Sequence, residues 1–128
     1  MLVTREMDYA LRILRALHQH GQLSATAAAE YEHLQKPVTL KILKRLHAAG
    51  VVCSRRGPGG GYFLVRPCNE LTLYDVFSAL GEAVLVNRCQ QPGYQCETSG
   101  ECNLSREFCR VQAVLDGELR RTPLSELF

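Results

Sequence analysis

One stretch, VVCSRRGPGGGYFLVR at positions 51–66, constrains the fold of this chain more than any other. Apolar runs at 51–53 and 62–65 flank a charged, glycine-rich tip. Strand-forming residues on both sides of a Gly/Pro-rich connection specify a hairpin. Arg55 and Arg56 stand immediately before Gly57-Pro58-Gly59-Gly60-Gly61. Three consecutive glycines let a backbone take positive φ or come close to another surface. A basic tip with bare backbone suits a nucleic-acid groove. An ordinary flexible hairpin with solvated arginines has the same composition, so the stretch alone leaves both readings open.

The elements before the hairpin narrow the choice. Thr4 can cap a helix over 5–19, with Met7, Ala10, Leu11, Leu14 and Leu17 on one apolar face and Glu6 and Asp8 in the first turn, where acids complement the helix dipole. Gly21 ends it. Ser24 caps a short helix over 25–31. After a turn over 32–36, Pro37 opens a third helix over 37–49, because proline is favoured in a first turn. Ile42, Leu43 and Leu46 face inward, while Thr39, Lys41, Lys44 and Arg45 are expected to face outward. Helix, helix, turn, basic helix, hairpin is the order of a winged helix-turn-helix, whose later helix enters the major groove. The expected DNA contacts are therefore Ser24, Thr39, Lys41, Lys44 and Arg45, with Arg55, Arg56, Gly57 and Tyr62 from the wing. Arg56 is expected to reach a minor groove.

Charge supports this reading. Residues 1–66 hold ten Lys/Arg against four acids, a net +6; residues 67–128 hold five arginines against nine acids, a net −4. A basic half joined to an acidic half suggests that the first half meets an anionic polymer. No apolar run approaches the length of a membrane span, and the opening MLVTREMDYA carries charges where a signal peptide needs an apolar stretch. A cytoplasmic location and no membrane partner are expected.

Downstream, Thr72 can cap a helix over 73–80 with Leu73, Val76, Phe77 and Leu80 as its apolar face. Residues 84–103 then lose periodicity and carry Cys89, Cys96 and Cys102. A final helix over 104–119 has an apolar stripe of Leu104, Phe108, Val111, Leu115 and Leu119, which reads as a dimer seam or as a helix folded back on its own domain. A terminal turn over 124–128 could place Leu124, Leu127 and Phe128 across the same seam. The expected fold is mainly α with a small β-hairpin wing: a winged helix-turn-helix over 1–82, a cysteine loop over 83–103, and a dimerisation helix and turn over 104–128.

Six cysteines in a cytoplasmic chain this short read as ligands or redox groups and not as a disulfide framework. The three loop thiols suit an iron–sulfur cluster, zinc or a thiol redox switch. The loop lacks the paired Cys-x2–4-Cys spacing usual for zinc, and all four histidines lie in the first half. Cys109 and Asp8 are the candidates for a fourth ligand. Cys109 also reads as a packed helix cysteine, and Asp8 as a dipole acid paired with Arg12 four residues on. Cys53 and Cys68 read as structural, although facing strand cysteines can form a disulfide. No nucleophile–histidine–acid pattern surrounds Ser24, Ser54, Ser78, Ser99 or Ser105, and the glycine tip lacks the lysine and hydroxyl of a phosphate-binding loop. An enzyme is not expected.

With these features placed, the chain resembles the Rrf-two family of bacterial transcription regulators over nearly its whole length. The resemblance rests on Met1-Leu2-Val3-Thr4 with Asp8-Tyr9-Ala10-Leu11-Arg12, and on Lys41-Ile42-Leu43-x-x-Leu46-x-x-Ala49-Gly50-Val51-Val52. Its most specific element is Arg56-Gly57-Pro58-Gly59-Gly60-Gly61-Tyr62 followed by Arg66-Pro67. Leu71-Thr72-Leu73-x-Asp75-Val76 and Thr122-Pro123-Leu124-x-Glu126-Leu127 also agree. It implies a homodimer on a partly palindromic double-stranded operator, acting as a repressor. It also implies that Cys89, Cys96 and Cys102 hold a 2Fe–2S or 4Fe–4S cluster sensing nitric oxide, redox state or iron. The branch that uses a histidine three residues beyond the last cysteine has Ser105 at that position here. The nitric-oxide-sensing branch resembles this chain at Asp8, an acid supplied by the opposite subunit, which ranks Asp8 above Cys109. The six residues between Cys89 and Cys96, one more than the common pattern, leave the cluster type open. A cluster-free thiol switch and an iron–sulfur electron carrier are the alternative functions.

Overall fold

The computed structural model describes residues 2–98 and 100–128. Met1, which begins the opening motif, and Ser99 lie outside the described residues. Among the described residues, five helices and a three-stranded antiparallel sheet make up the fold: α1 Arg5–His20, β1 Gln22–Leu23, α2 Ala25–Tyr31, α3 Lys36–Ala48, β2 Val52–Arg55, β3 Gly61–Leu64, α4 Leu73–Ala79 and α5 Asn103–Leu119. Single 3-10 turns lie at Cys68–Glu70, Arg88–Gln90 and Leu124–Glu126.

Thr4 closes a capping box with Met7 and starts α1, which buries Met7, Ala10, Ile13, Leu14 and Leu17. Against this face pack Ile42, Leu43 and Leu46 of α3 and Val76, Phe77 and Leu80 of α4. Thr72 and Asp75 form a second capping box at the start of α4. Each box satisfies N–H groups that a helix start otherwise leaves unpaired. The turn after α2 passes through His33 at φ 52°. It is braced by Glu32, whose largely buried carboxylate accepts from Arg15 at 2.5 and 3.1 Å and from Arg12 at 3.4 Å. A buried carboxylate needs such partners. The same contacts tie α1 to the helix-turn-helix.

The hairpin has a third strand that the sequence pattern did not show. The strand order is β1-β3-β2, and Gln22 and Leu23 pair with Phe63 and Tyr62. Two residues are too short for a period-two pattern to register. Gly61 makes the pairing possible: at φ 149° its place leaves no room for a side chain, because a Cβ would sit 2.6 Å from the Leu23 carbonyl. A Cβ on Gly60 would meet the Arg55 carbonyl oxygen at 2.4 Å. These two glycines therefore close the hairpin on itself and on β1.

The terminal turn also departs from expectation. Leu124 is fully buried in the chain's own core, and its N–H donates to the Leu71 carbonyl at 2.8 Å. Phe128 packs on the same core near His18. Of the three residues expected across a dimer seam, only Leu127 stays exposed. Along α5 the stripe divides. Leu115 and Leu119 lean on the core, whereas Leu104 and Val111 are exposed and no residue of the helix is buried.

Candidate nucleic-acid interface and cysteine pocket

The basic helix α3 begins at Lys36 with Gln35 as an uncapped N-cap and Pro37 in the first turn. Its backbone N–H groups there have no side-chain cap, a site suited to a phosphate. Among the described residues Lys36, Lys44, Arg55 and Arg56 make no ion pair with an acid. Lys36 was absent from the sequence expectation; its place just before a first-turn proline was the available signal. Arg55 stacks over the Phe63 ring at 4.8 Å, which holds it along the wing. Gly57, at φ 91°, turns the tip, and the Gln22 side-chain amide donates to the Gly59 carbonyl there. Tyr62 is half-buried against the core.

Two of the expected outward residues differ. Thr39 is fully buried, and its hydroxyl donates to the Gln35 carbonyl at 3.1 Å, so it faces the helix interior and not solvent. Its position one step from the apolar ridge of Ile42, Leu43 and Leu46 turns it inward. Arg45 is half-buried, its guanidinium forked between Glu6 and the Leu80 carbonyl, with Glu82 at 3.8 Å. Lys41 is exposed and donates to Glu6. That hydrogen bond, with the nearby Arg45 charge, holds the Glu6 carboxyl below its usual range. Ser24 caps α2, its hydroxyl accepting from the Ala27 N–H at 3.1 Å, and stays exposed.

The cysteine loop arranges its three cysteines around one pocket. Cys89, Cys96 and Cys102 line one pocket of about 210 Å³, walled by Asn87, Tyr94, Leu104, Ser105 and Phe108. Each sulfur has a hydrogen-bonding neighbour: Gln90 Nε2 at 3.4 Å from Cys89, Thr98 Oγ1 at 3.4 Å from Cys96, and the Ser105 N–H at 3.4 Å from Cys102. Cys102 is the N-cap of α5. Thr98, through its hydroxyl and backbone, lowers the Cys96 pKa. Burial raises that of Cys68. Side chains that hydrogen-bond a sulfur ligand fix its orientation and tune what it holds. Among the described residues no three His, Cys, Asp or Glu side chains converge on a point that would take a single ion. An all-sulfur donor set around this pocket suits a sulfur-bridged iron cluster or zinc.

Cys109 is exposed and does not line this pocket. Asp8 is not in it either; it sits on α1, exposed, 3.6 Å from Arg12 as its spacing predicted. Cys53 and Cys68 are both free thiols, so the strand disulfide is not formed.

A model of the Rrf2 family, described as an iron-dependent transcriptional regulator, matches residues 3–128. The chain belongs to the Rrf2 family. It is 30% identical over 125 residues to the HTH-type transcriptional regulator IscR of Cronobacter sakazakii and of Escherichia coli K12, covering 98% of this chain and 74% of each relative. Its fold matches T. potens IscR with a TM-score of 0.75 at 21% identity, over 98% of this chain and 84% of that one. It also matches CymR, the global cysteine regulator of B. subtilis, with a TM-score of 0.76 at 24% identity, over 98% and 94%.

This Rrf2 chain is thus a winged-helix, DNA-binding transcription regulator and not an enzyme. Among its described residues no helix is long and apolar enough to cross a membrane.

Proposed function

We propose that this Rrf2 protein is a homodimeric repressor whose operator binding is set by an iron–sulfur cluster on Cys89, Cys96 and Cys102. The observation that supports the reading is that these three cysteines line one pocket, each sulfur beside a hydrogen-bonding group. Residues 1–82 read DNA, 83–103 carry the cluster and α5 joins the subunits, while the terminal turn stays on its own core. Lys41, Lys44, Arg55 and Arg56 meet the duplex, with Ser24, Gly57 and Tyr62 beside them. The exposed Leu104, Val111 and Val114 of α5 supply the subunit seam. Asp8, outside the pocket of its own chain, is the fourth ligand from the second copy.

When bound, such a cluster supplies a centre reactive toward nitric oxide and oxidants and dependent on iron supply. The protein's own residues do the rest. Asp8 of one chain, drawn to the loop of the other, leaves Arg12 to Glu32 alone, so the first helix of one subunit and the cysteine loop of the other are held together. Releasing that tie changes the separation of the two α3 helices. Half-site spacing is a rigid geometric demand. A mismatch there costs several kcal/mol, on the order of the gap between specific and non-specific binding.

Protein purified without oxygen is expected to be brown, with about one cluster per subunit, and Cys96→Ala to lose both colour and iron. A colourless protein without iron or sulfide overturns the cluster reading.

A second reading has its own observation. Thr98 lowers the Cys96 thiol pKa, and a thiolate is the form that oxidants attack. A metal-free switch would leave a defined disulfide among Cys89, Cys96, Cys102 and Cys109 after oxidant treatment, readable by mass spectrometry.

A further inference from the structure

Basic residues on a DNA-reading helix are ordinarily assigned to the DNA. Arg45 is already occupied elsewhere. Its guanidinium lies where three segments meet: it donates to Glu6 in the first turn of α1, to the Leu80 carbonyl at the end of α4, and faces Glu82 at 3.8 Å. Glu82 in turn accepts from the Thr4 hydroxyl, the N-cap of α1, at 2.7 Å. Two facts make this more than a surface ion pair. Arg45 satisfies a carbonyl that the C-terminus of α4 leaves unpaired within the helix. Its planar fork holds acceptors on different elements in a fixed, spread geometry that the single nitrogen of a lysine does not reproduce.

We propose that Arg45 is a positioning residue and not a DNA contact. It clasps α3 to the start of α1 and to residues 80–82, the segment that leads into the cysteine loop. Through this clasp the angle of the DNA-reading helix follows the position of α1 and of that segment. Lys44, one residue earlier and without an acid partner among the described residues, faces the phosphates instead. The inference does not depend on what the cysteines hold.

The test separates the two roles by salt dependence, on two duplexes: one of random sequence, and one selected in vitro against the wild-type protein. A lost phosphate contact lowers the slope of log affinity against log salt by about one and weakens both duplexes alike. Lys44→Ala is expected to do this. Arg45→Ala is expected to keep the wild-type slope on the random duplex and to weaken the selected duplex about tenfold or more, shrinking the specificity ratio. Should Arg45→Ala fail to fold, Arg45→Lys decides. It retains the charge, so a phosphate contact predicts near-wild-type binding to both duplexes, whereas the clasp predicts the same selective loss.

Single-base-pair variants of the selected duplex complete the test. A clasp spreads the loss over all positions; a guanine contact relaxes one. A slope lowered by about one in Arg45→Ala, unchanged binding in both Arg45 variants, or a loss confined to one base pair overturns the proposal.

Discussion

The two ends of this molecule are built on opposite terms. Among the described residues the buried apolar side chains run from Met7 to Val84, joined by Leu124, and α5 contributes none. The first region closes its own core: α1, α3 and α4 meet face to face, and every buried polar side-chain atom among the described residues has a partner. The second region exposes Leu104 and Val114, and its three loop cysteines line a pocket. Apolar surface left on a long helix stays unfavourable until something covers it. The difference teaches that the DNA-binding half closes a core of its own, while α5 and the cysteine loop leave apolar and sulfur-bearing surface uncovered within the chain.

The comparison breaks first at the core. Leu43 is fully buried, so Leu43→Ala is expected to cost about 2–5 kcal/mol in urea unfolding, as buried leucine truncations do. A loss under about 1 kcal/mol would mean that the first region is not the tight core described. Gly61→Ala comes next: the Cβ clash with Leu23 and the positive φ predict a loss above about 1 kcal/mol, with the wing freed from β1. Leu104→Glu probes the other side. It is expected to change core stability by no more than about 0.5 kcal/mol yet convert a dimer to a monomer in sedimentation. Equal losses from Leu43→Ala and Leu104→Glu would erase the distinction.

Two smaller effects sharpen it. With cluster-free, reduced protein at neutral pH, Cys96 should alkylate well before Cys68, because Thr98 lowers one thiol pKa and burial raises the other. Thr98→Val should slow Cys96 alone. The last effect is acidic. The Glu6 carboxyl is held low by Lys41 and Arg45, so its contribution to folding is present above the unfolded carboxylate pKa of 4.5. That contribution disappears as the pH falls through the depressed folded value. Glu6→Gln should flatten that limb of a stability–pH curve, and an unaltered curve would remove Glu6 from the account.

Much of the fold was legible because its signals are local. Thr4, Ser24 and Thr72 each sit at a helix start with the expected cap, and the 3.6-residue spacing named Met7, Ala10, Leu14 and Leu17 as buried. Signals that depend on distant residues were not legible. The strand at Gln22–Leu23 exists only because β3 lies beside it, and Leu124 turned inward because the Leu71 carbonyl and the core were there to receive it. At the candidate site, the sequence pointed to the three loop cysteines, and the pocket joins them. It could not show that Gln90, Thr98 and Ser105 approach their sulfurs, nor that Arg45 was taken by Glu6 and Leu80.

The division follows from the range of the forces. Helix caps, apolar periodicity and the Arg-Gly-Pro-Gly-Gly-Gly tip act within a few residues, so they name the winged helix and the family without a structure. The basic charge of residues 1–66 was likewise plain from the sequence. Which of those charges remain for DNA was decided only in three dimensions, where Glu6, Glu32, Glu82 and the Leu80 carbonyl, far apart along the chain, converge on Arg12, Arg15 and Arg45. An ion pair forms where folding brings two groups within a few ångströms, and sequence separation does not encode that distance.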